Sequence, residues 1–157
     1  FILQLITFMD TSTIRRFREY IRRIERELDI QNNASCSRGV SLPKCHIILE
    51  LFPDKSTTLN GLAGKLRLDK STVSRTVESL VKDGYVERSI PTDNRRSVNL
   101  SITNKGADEA RRINRENDAY FGAILKSLPR EDLPVFLRSF EQFVNRMVEN
   151  NRDKTQC

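Results

Sequence analysis

The sequence predicts a mainly α chain with a small β element (α+β), and three observations carry that expectation. Apolar residues recur at three- and four-residue steps over most of the 157 residues. Near the middle, Val98, Leu100 and Ile102 instead alternate with Ser97, Asn99 and Ser101, the period of a half-buried strand. Just ahead of it, Thr58 and Asp69 stand as capping residues before two closely spaced apolar stripes, the pattern of a helix, a turn and a second helix.

The totals agree with a globular, charge-rich protein. Hydrophobic residues make up 38% and charged residues 31%, which argues against disorder. The net charge of +6 favours a polyanionic partner. Cys36, Cys45 and Cys157 are too few and too irregular for a disulfide framework, and a reducing cytoplasm is expected. Phe1 to Met9 is apolar but too short to span a bilayer, and it lacks the basic start and cleavage site of a signal peptide. No membrane partner is expected.

Six helices and one hairpin follow in order. Ile14, Phe17, Ile21, Ile24 and Leu28 stripe the first helix, whose outer face is dense with arginines interleaved with Glu19, Glu25 and Glu27, a pattern best taken as a solvated face. Gln31 to Gly39 is polar and is expected to be a loop. Ser41 caps the second helix with Pro43 in its first turn; Leu42, Cys45, Ile48, Leu49 and Phe52 form its stripe and Pro53 stops it. The third helix carries Leu59, Leu62, Ala63 and Leu66, weakened by Gly61 and Gly64 by up to about 1 kcal/mol each relative to Ala.

The fourth helix, Lys70 to Asp83, has two faces. Val73, Val77, Leu80 and Val81 would seat it on a core, and Ser71, Ser74, Arg75, Glu78 and Lys82 lie opposite. Gly84 supplies the left-handed residue that ends it. A helix anchored by valines and presenting hydroxyls and a guanidinium suits a DNA major groove. Tyr85 to Arg88 forms the first strand of a hairpin, and Pro91 to Asn94 its turn, followed at once by Arg95 and Arg96. Two arginines on a hairpin tip beside such a helix give the layout of a winged helix-turn-helix, with the tip at the minor groove or flanking phosphates.

Two further helices close the chain. Ala110, Ile113, Tyr120, Phe121, Ile124 and Leu128 mark the fifth, which Pro129 breaks. Leu133, Phe136, Leu137, Phe140, Phe143, Val144 and Met147 mark the sixth, with Pro134 in its first turn. The apolar surface at the two chain ends exceeds what one small lobe can cover, so an intertwined homodimer is expected, which would also set two reading helices about one DNA turn apart. The expected division is 1–40 for an N-terminal dimerisation helix and loop, 41–104 for the DNA-binding lobe, and 105–157 for C-terminal dimerisation helices.

The run Leu62-Ala63, Leu68-Asp69-Lys70-Ser71-Thr72-Val73-Ser74-Arg75, Leu80, Asp83-Gly84-Tyr85-Val86-Glu87-Arg88, Asn94-Arg95-Arg96-Ser97-Val98, Leu100, Thr103 and Gly106 resembles the multiple-antibiotic-resistance regulator (MarR) family. The resemblance implies a triangular homodimer whose middle lobes bind a palindromic operator in double-stranded DNA, usually as a repressor released by a small-molecule effector, an oxidant or a metal. It implies that Lys70, Ser71, Thr72, Ser74 and Arg75 meet bases and phosphates, and that Arg96, next to Arg95, enters the minor groove. The family pattern has Asp two residues before that arginine; here it is Asn94, which can accept a hydrogen bond but forms no ion pair, and Asp93 precedes it.

The alternative is a metal- or thiol-responsive sensor. Cys36, Cys45 and His46, with Glu50 one turn on, are residue types that bind zinc or a softer ion. Against it, Cys45 falls on an apolar stripe, His46 and Glu50 make an ordinary surface pair, and the first helix lacks the reactive cysteine of the family's oxidant-sensing branch. No cofactor is expected. With one histidine and no phosphate-cradling glycine loop, nucleophile elbow or paired-histidine motif, neither is an enzyme.

Overall fold

The computed structural model describes residues 10–36, 40–54, 56–90 and 97–155. Six helices and three strands appear among them: α1 (Thr11–Cys36), α2 (Leu42–Asp54), β1 (Ser56–Thr58), α3 (Leu59–Leu66), α4 (Lys70–Lys82), β2 (Val86–Ser89), β3 (Asn99–Ile102), α5 (Asn104–Lys126) and α6 (Leu133–Thr155). The chain divides into two compact units, Phe1–Asn114 and Arg115–Cys157, a division that falls within α5.

In the first unit the core gathers where α2, α3, α4 and the sheet meet. Cys45, Ile47, Ile48 and Leu51 of α2 lie against Leu59 and Leu62 of α3, Val73, Val77 and Leu80 of α4, Val86, Leu100, Ala110 and Ile113. Burying Val73, Val77 and Leu80 contributes about 1.5–3 kcal/mol each, which fixes the inner face of α4. The sheet has the order β1-β3-β2, antiparallel throughout, with Leu100 between Thr57 and Arg88.

Four expectations need correction. Helix α1 continues through Gln31 to Cys36; these residues are polar, but no Gly or Pro interrupts them before Gly39. The buried face of α2 is carried by Ile47 and Leu51 with Cys45 and Ile48, while Leu42, Leu49 and Phe52 are half-buried. That helix also runs past Pro53 to Asp54. And the sheet has a third strand, β1, where a hairpin alone is expected. Its residues Ser56, Thr57 and Thr58 have no apolar alternation, and pairing with β3 is what extends them.

In the second unit, the Tyr120 and Phe121 rings meet edge to face at 5.1 Å, and Phe136 stacks on Phe140 at 5.8 Å. Val135, Phe136, Leu137, Phe140, Val144 and Met147 of α6 are each 40–56% exposed in the single chain. In the first unit, Ile14, Phe17, Tyr20 and Ile24 of α1 are likewise exposed. Among the described residues no helix is long and apolar enough to cross a membrane.

Candidate nucleic-acid interface

Helix α4 begins on a side-chain cap. Asp69 has extended backbone (φ −65°, ψ 147°), and its Oδ1 accepts from the Thr72 amide at 2.8 Å and the Ser71 hydroxyl at 2.6 Å. The Ser71 hydroxyl, followed by Thr72, holds the Asp69 carboxyl far below the usual carboxylate range. A charge-assisted cap at the positive end of the helix dipole is doubly favourable.

The turn before it is tight. Arg67 sits in the left-handed region at φ 53°, where Gly or Asn is more usual, while the Leu68 amide donates to Ala63 O at 3.1 Å. Arg67 is exposed, so the turn presents a cation that sequence reasoning misses. Its one available signal is a basic residue at the helix end, a position where cations are common for other reasons.

Along α4 the expected residues fall into two groups. Lys70, Ser71 and Arg75 are exposed, and Thr72 and Ser74 half-buried. Arg75 Nε donates weakly to Ser71 O at 3.4 Å, which lays the guanidinium along the outer face. The Ser71 hydroxyl proton is committed to Asp69, so toward an external partner Ser71 offers acceptor lone pairs. Ser74 Oγ donates to Glu78 Oε1 at 3.4 Å, and Arg88 Nη1 of β2 lies 3.8 Å from the same oxygen. With Val73, Val77 and Leu80 buried beneath the helix, Ser71 and Arg75 face outward and Ser74 lies at the edge of that face. Arg95 and Arg96, with Asn94 and Asp93, lie outside the described residues.

The C-terminal end of α4 is tied to two other helices. Gly84 (φ 76°) lets the Gly84 amide donate to Val81 O at 3.0 Å and the Tyr85 amide to Leu80 O at 2.9 Å. Lys44 of α2 pairs with Asp83 Oδ2 at 2.7 Å, and Lys105 of α5 donates to Asp83 O at 2.7 Å while lying over the Tyr85 ring. The hydrogen bond from Lys44 lowers the Asp83 pKa. Thr103 caps α5: its Oγ1 accepts from the Gly106 amide at 3.0 Å and donates to Gly84 O at 2.8 Å. Beside this junction an open cleft of about 210 Å³ is lined by Phe52, Ile102, Thr103, Asn104, Ala107 and Arg111.

Cys45 and His46 do not converge. Cys45 is buried and its thiol faces Val40 O at 3.8 Å, whereas His46, the next residue on the helix, is exposed. Glu50 meets Lys65 at 3.2 Å. Among the described residues no group of three or more His, Cys, Asp or Glu side chains is placed to hold a metal ion. The Cys36 side chain lies outside them.

Residues 40–98 match the MarR family model. The transcriptional repressor YetL of Bacillus subtilis (strain 168) is 23% identical over 112 residues, 70% of this chain and 67% of that protein. The transcriptional regulator PchR of the same organism is 26% identical over 98 residues, 60% and 58% of the two chains. The chain thus spans about two thirds or less of these relatives. Among solved structures, Streptococcus pneumoniae FabT in complex with DNA has a TM-score of 0.79 at 21% identity, covering 87% of this chain and 98% of that one. NadR in complex with 4-hydroxyphenylacetate has a TM-score of 0.65 at 20% identity, covering 81% and 91%. At these identities the structural likeness is one of fold.

Proposed function

We propose that this chain, a MarR-family winged-helix protein by its residues 40–98, is a DNA-binding transcriptional regulator acting as a repressor. On this reading it works in the cytoplasm as a homodimer, reads a pseudo-palindromic operator, and is released by a small-molecule effector. It is not an enzyme.

The observation that carries the reading is the outward face of α4. Ser71, Ser74 and Arg75 stand away from the buried Val73, Val77 and Leu80, on a helix capped at one end and tied at the other. In this role Arg75 reads a base edge, and Lys70 and Thr72 meet phosphates at the helix N-terminus. Arg95 and Arg96 take the wing's place at the minor groove. The complex of FabT with DNA supports the choice of partner.

The dimer rests on the exposed apolar residues of α1 and α6; segments 1–40 and 105–157 pair the subunits, and 41–104 reads DNA. The effector rests on the ligand held by NadR and, in this chain, on the cleft beside Thr103, where Arg111 lies 5.8 Å from the Phe52 ring. The metal- or thiol-sensor alternative involving Cys36, Cys45 and His46 has no comparable support.

Selection of bound duplexes from a randomised pool tests the reading. The expected result is an inverted repeat with half-site centres about 10–10.5 base pairs apart, or a multiple of that. Recovery of a pool no different from the input would overturn it.

A further inference from the structure

The outer face of α4 carries one residue that phosphate attraction does not explain. Glu78 lies one turn beyond Ser74 and Arg75 on the same surface, and its side chain is 61% exposed. The helical rise puts it about 4.5 Å further along the axis than Arg75, more than the rise of about 3.4 Å of one base pair, so the two side chains can meet different base pairs. A carboxylate entering a groove between two phosphate chains is repelled unless a base edge meets it with a donor.

We propose that Glu78 is a specificity-determining residue that selects cytosine at one position of each half-site. This rests on the DNA-binding reading above. In the major groove cytosine N4 and adenine N6 are the donors; guanine O6 and N7 and thymine O4 are acceptors that a carboxylate rejects. Adenine also sets its N7 acceptor beside N6, which suits an amide better than a carboxylate. Ser74 Oγ and Arg88 Nη1 both approach Oε1, at 3.4 and 3.8 Å, so Oε2 keeps its acceptor capacity. Neither contact is short, and the Ser74 hydroxyl, on the same helix, is the nearer of the two. As an exposed ion pair, the Arg88 contact itself contributes little to stability.

The test is duplex selection from a randomised pool by the full chain, Glu78→Gln and Arg88→Gln, each first checked for a wild-type circular dichroism melt. The wild type is expected to fix cytosine at one position per half-site, preferred roughly tenfold over other bases. Glu78→Gln is expected to exchange that cytosine for adenine and leave the other positions unchanged, and Arg88→Gln to keep cytosine. The same base preferences in wild type and Glu78→Gln would overturn the inference. So would an Arg88→Gln variant that reproduces the exchange, because the carboxylate would then act only by holding Arg88. A wild type that enriches no sequence overturns the DNA-binding reading, and this inference with it.

Discussion

Among the described glycines Gly106 has the least room, and Gly106→Ala is the sharpest test of the fold around it. A Cβ built there would lie 2.2 Å from Tyr85 O and 2.7 Å from Ile102 Cγ1. Ordinary C···O contact begins near about 3.3 Å, so the first turn of α5 and the Tyr85 backbone must separate by about 1 Å. Neither is free to do so. Tyr85 O accepts from the Thr103 amide at 3.1 Å, and Thr103 Oγ1 bridges Gly84 O and the Gly106 amide at 2.8 and 3.0 Å. Stretching two such hydrogen bonds costs about 1 kcal/mol each, and overpacking adds about 1–3 kcal/mol. Better helix propensity returns up to about 1 kcal/mol. The net expectation is a loss of about 3 kcal/mol, or about 6–12 °C in Tm for a chain of this size. Gly64→Ala is the control: nothing lies within 4 Å of its Cβ position, so it is expected to raise stability by about 0.5–1 kcal/mol. Urea and thermal unfolding of both variants decide the matter. A Gly106→Ala protein within about 0.5 kcal/mol of wild type would refute the close approach of α5 to Tyr85.

Three other outcomes are expected. Arg75→Ala should weaken operator binding by about 1–3 kcal/mol and relax base preference at one position, as measured by mobility shift against single-base operator variants; unchanged affinity would speak against α4 as the reader. Arg96→Ala should weaken binding and flatten the slope of log K against log salt concentration by about one unit, which titrations at four or five salt concentrations will resolve. Asp69 has a lowered pKa in the folded state, so its contribution is present above its unfolded pKa of about 3.9 and is lost as pH falls through that value toward the folded one. The Tm of wild type should therefore drop more steeply below about pH 4 than that of Asp69→Asn, which keeps a neutral cap; parallel curves would contradict the capping geometry.

What could be foreseen in the sequence was whatever local chemistry decides. The caps Thr58 and Asp69, the stop at Gly84 and the valine side of α4 are each set by residues within a turn or two, and the structure has them where the pattern predicts. Strand β1 is invisible in the sequence because Ser56–Thr58 becomes a strand through a partner some 40 residues away, and its polarity matches any loop. Ile47 and Leu51 do not stand out because α2 is apolar around most of its circumference, so periodicity alone cannot rank its faces. The outer face of α4 is legible as polar, but the commitment of the Ser71 hydroxyl to Asp69, and of Ser74 to Glu78, depends on rotamers that spacing does not specify. Lys44 and Lys105 meeting at Asp83 is a long-range event, 39 and 22 residues apart, with no local signature.

On the function proposed above, that meeting bears on how DNA is released. The apolar seat of α4 on α2, α3 and the sheet holds its inner face, and polar contacts at its two ends add to it. At the N-terminal end the cap contacts from Ser71 and Thr72 to Asp69 are local, and the Leu68 amide ties the preceding turn to Ala63 O of α3. At the C-terminal end they come from Lys44 on α2 and Lys105 on α5, with Thr103 joining α5 to Gly84. A 13-residue helix is about 20 Å long. A tilt of about 5° about its C-terminal end carries Ser71 and its neighbours about 1.7 Å, given that length. Hydrogen bonds to base edges fail over a displacement of that size. A ligand in the cleft formed by Phe52, Thr103, Asn104, Ala107 and Arg111 would press on the first two turns of α5, the segment that holds the C-terminal end of α4. On that proposed function, an effector acting there would displace the α5 side of the Lys105–Asp83 contact and, with it, the C-terminal end of α4.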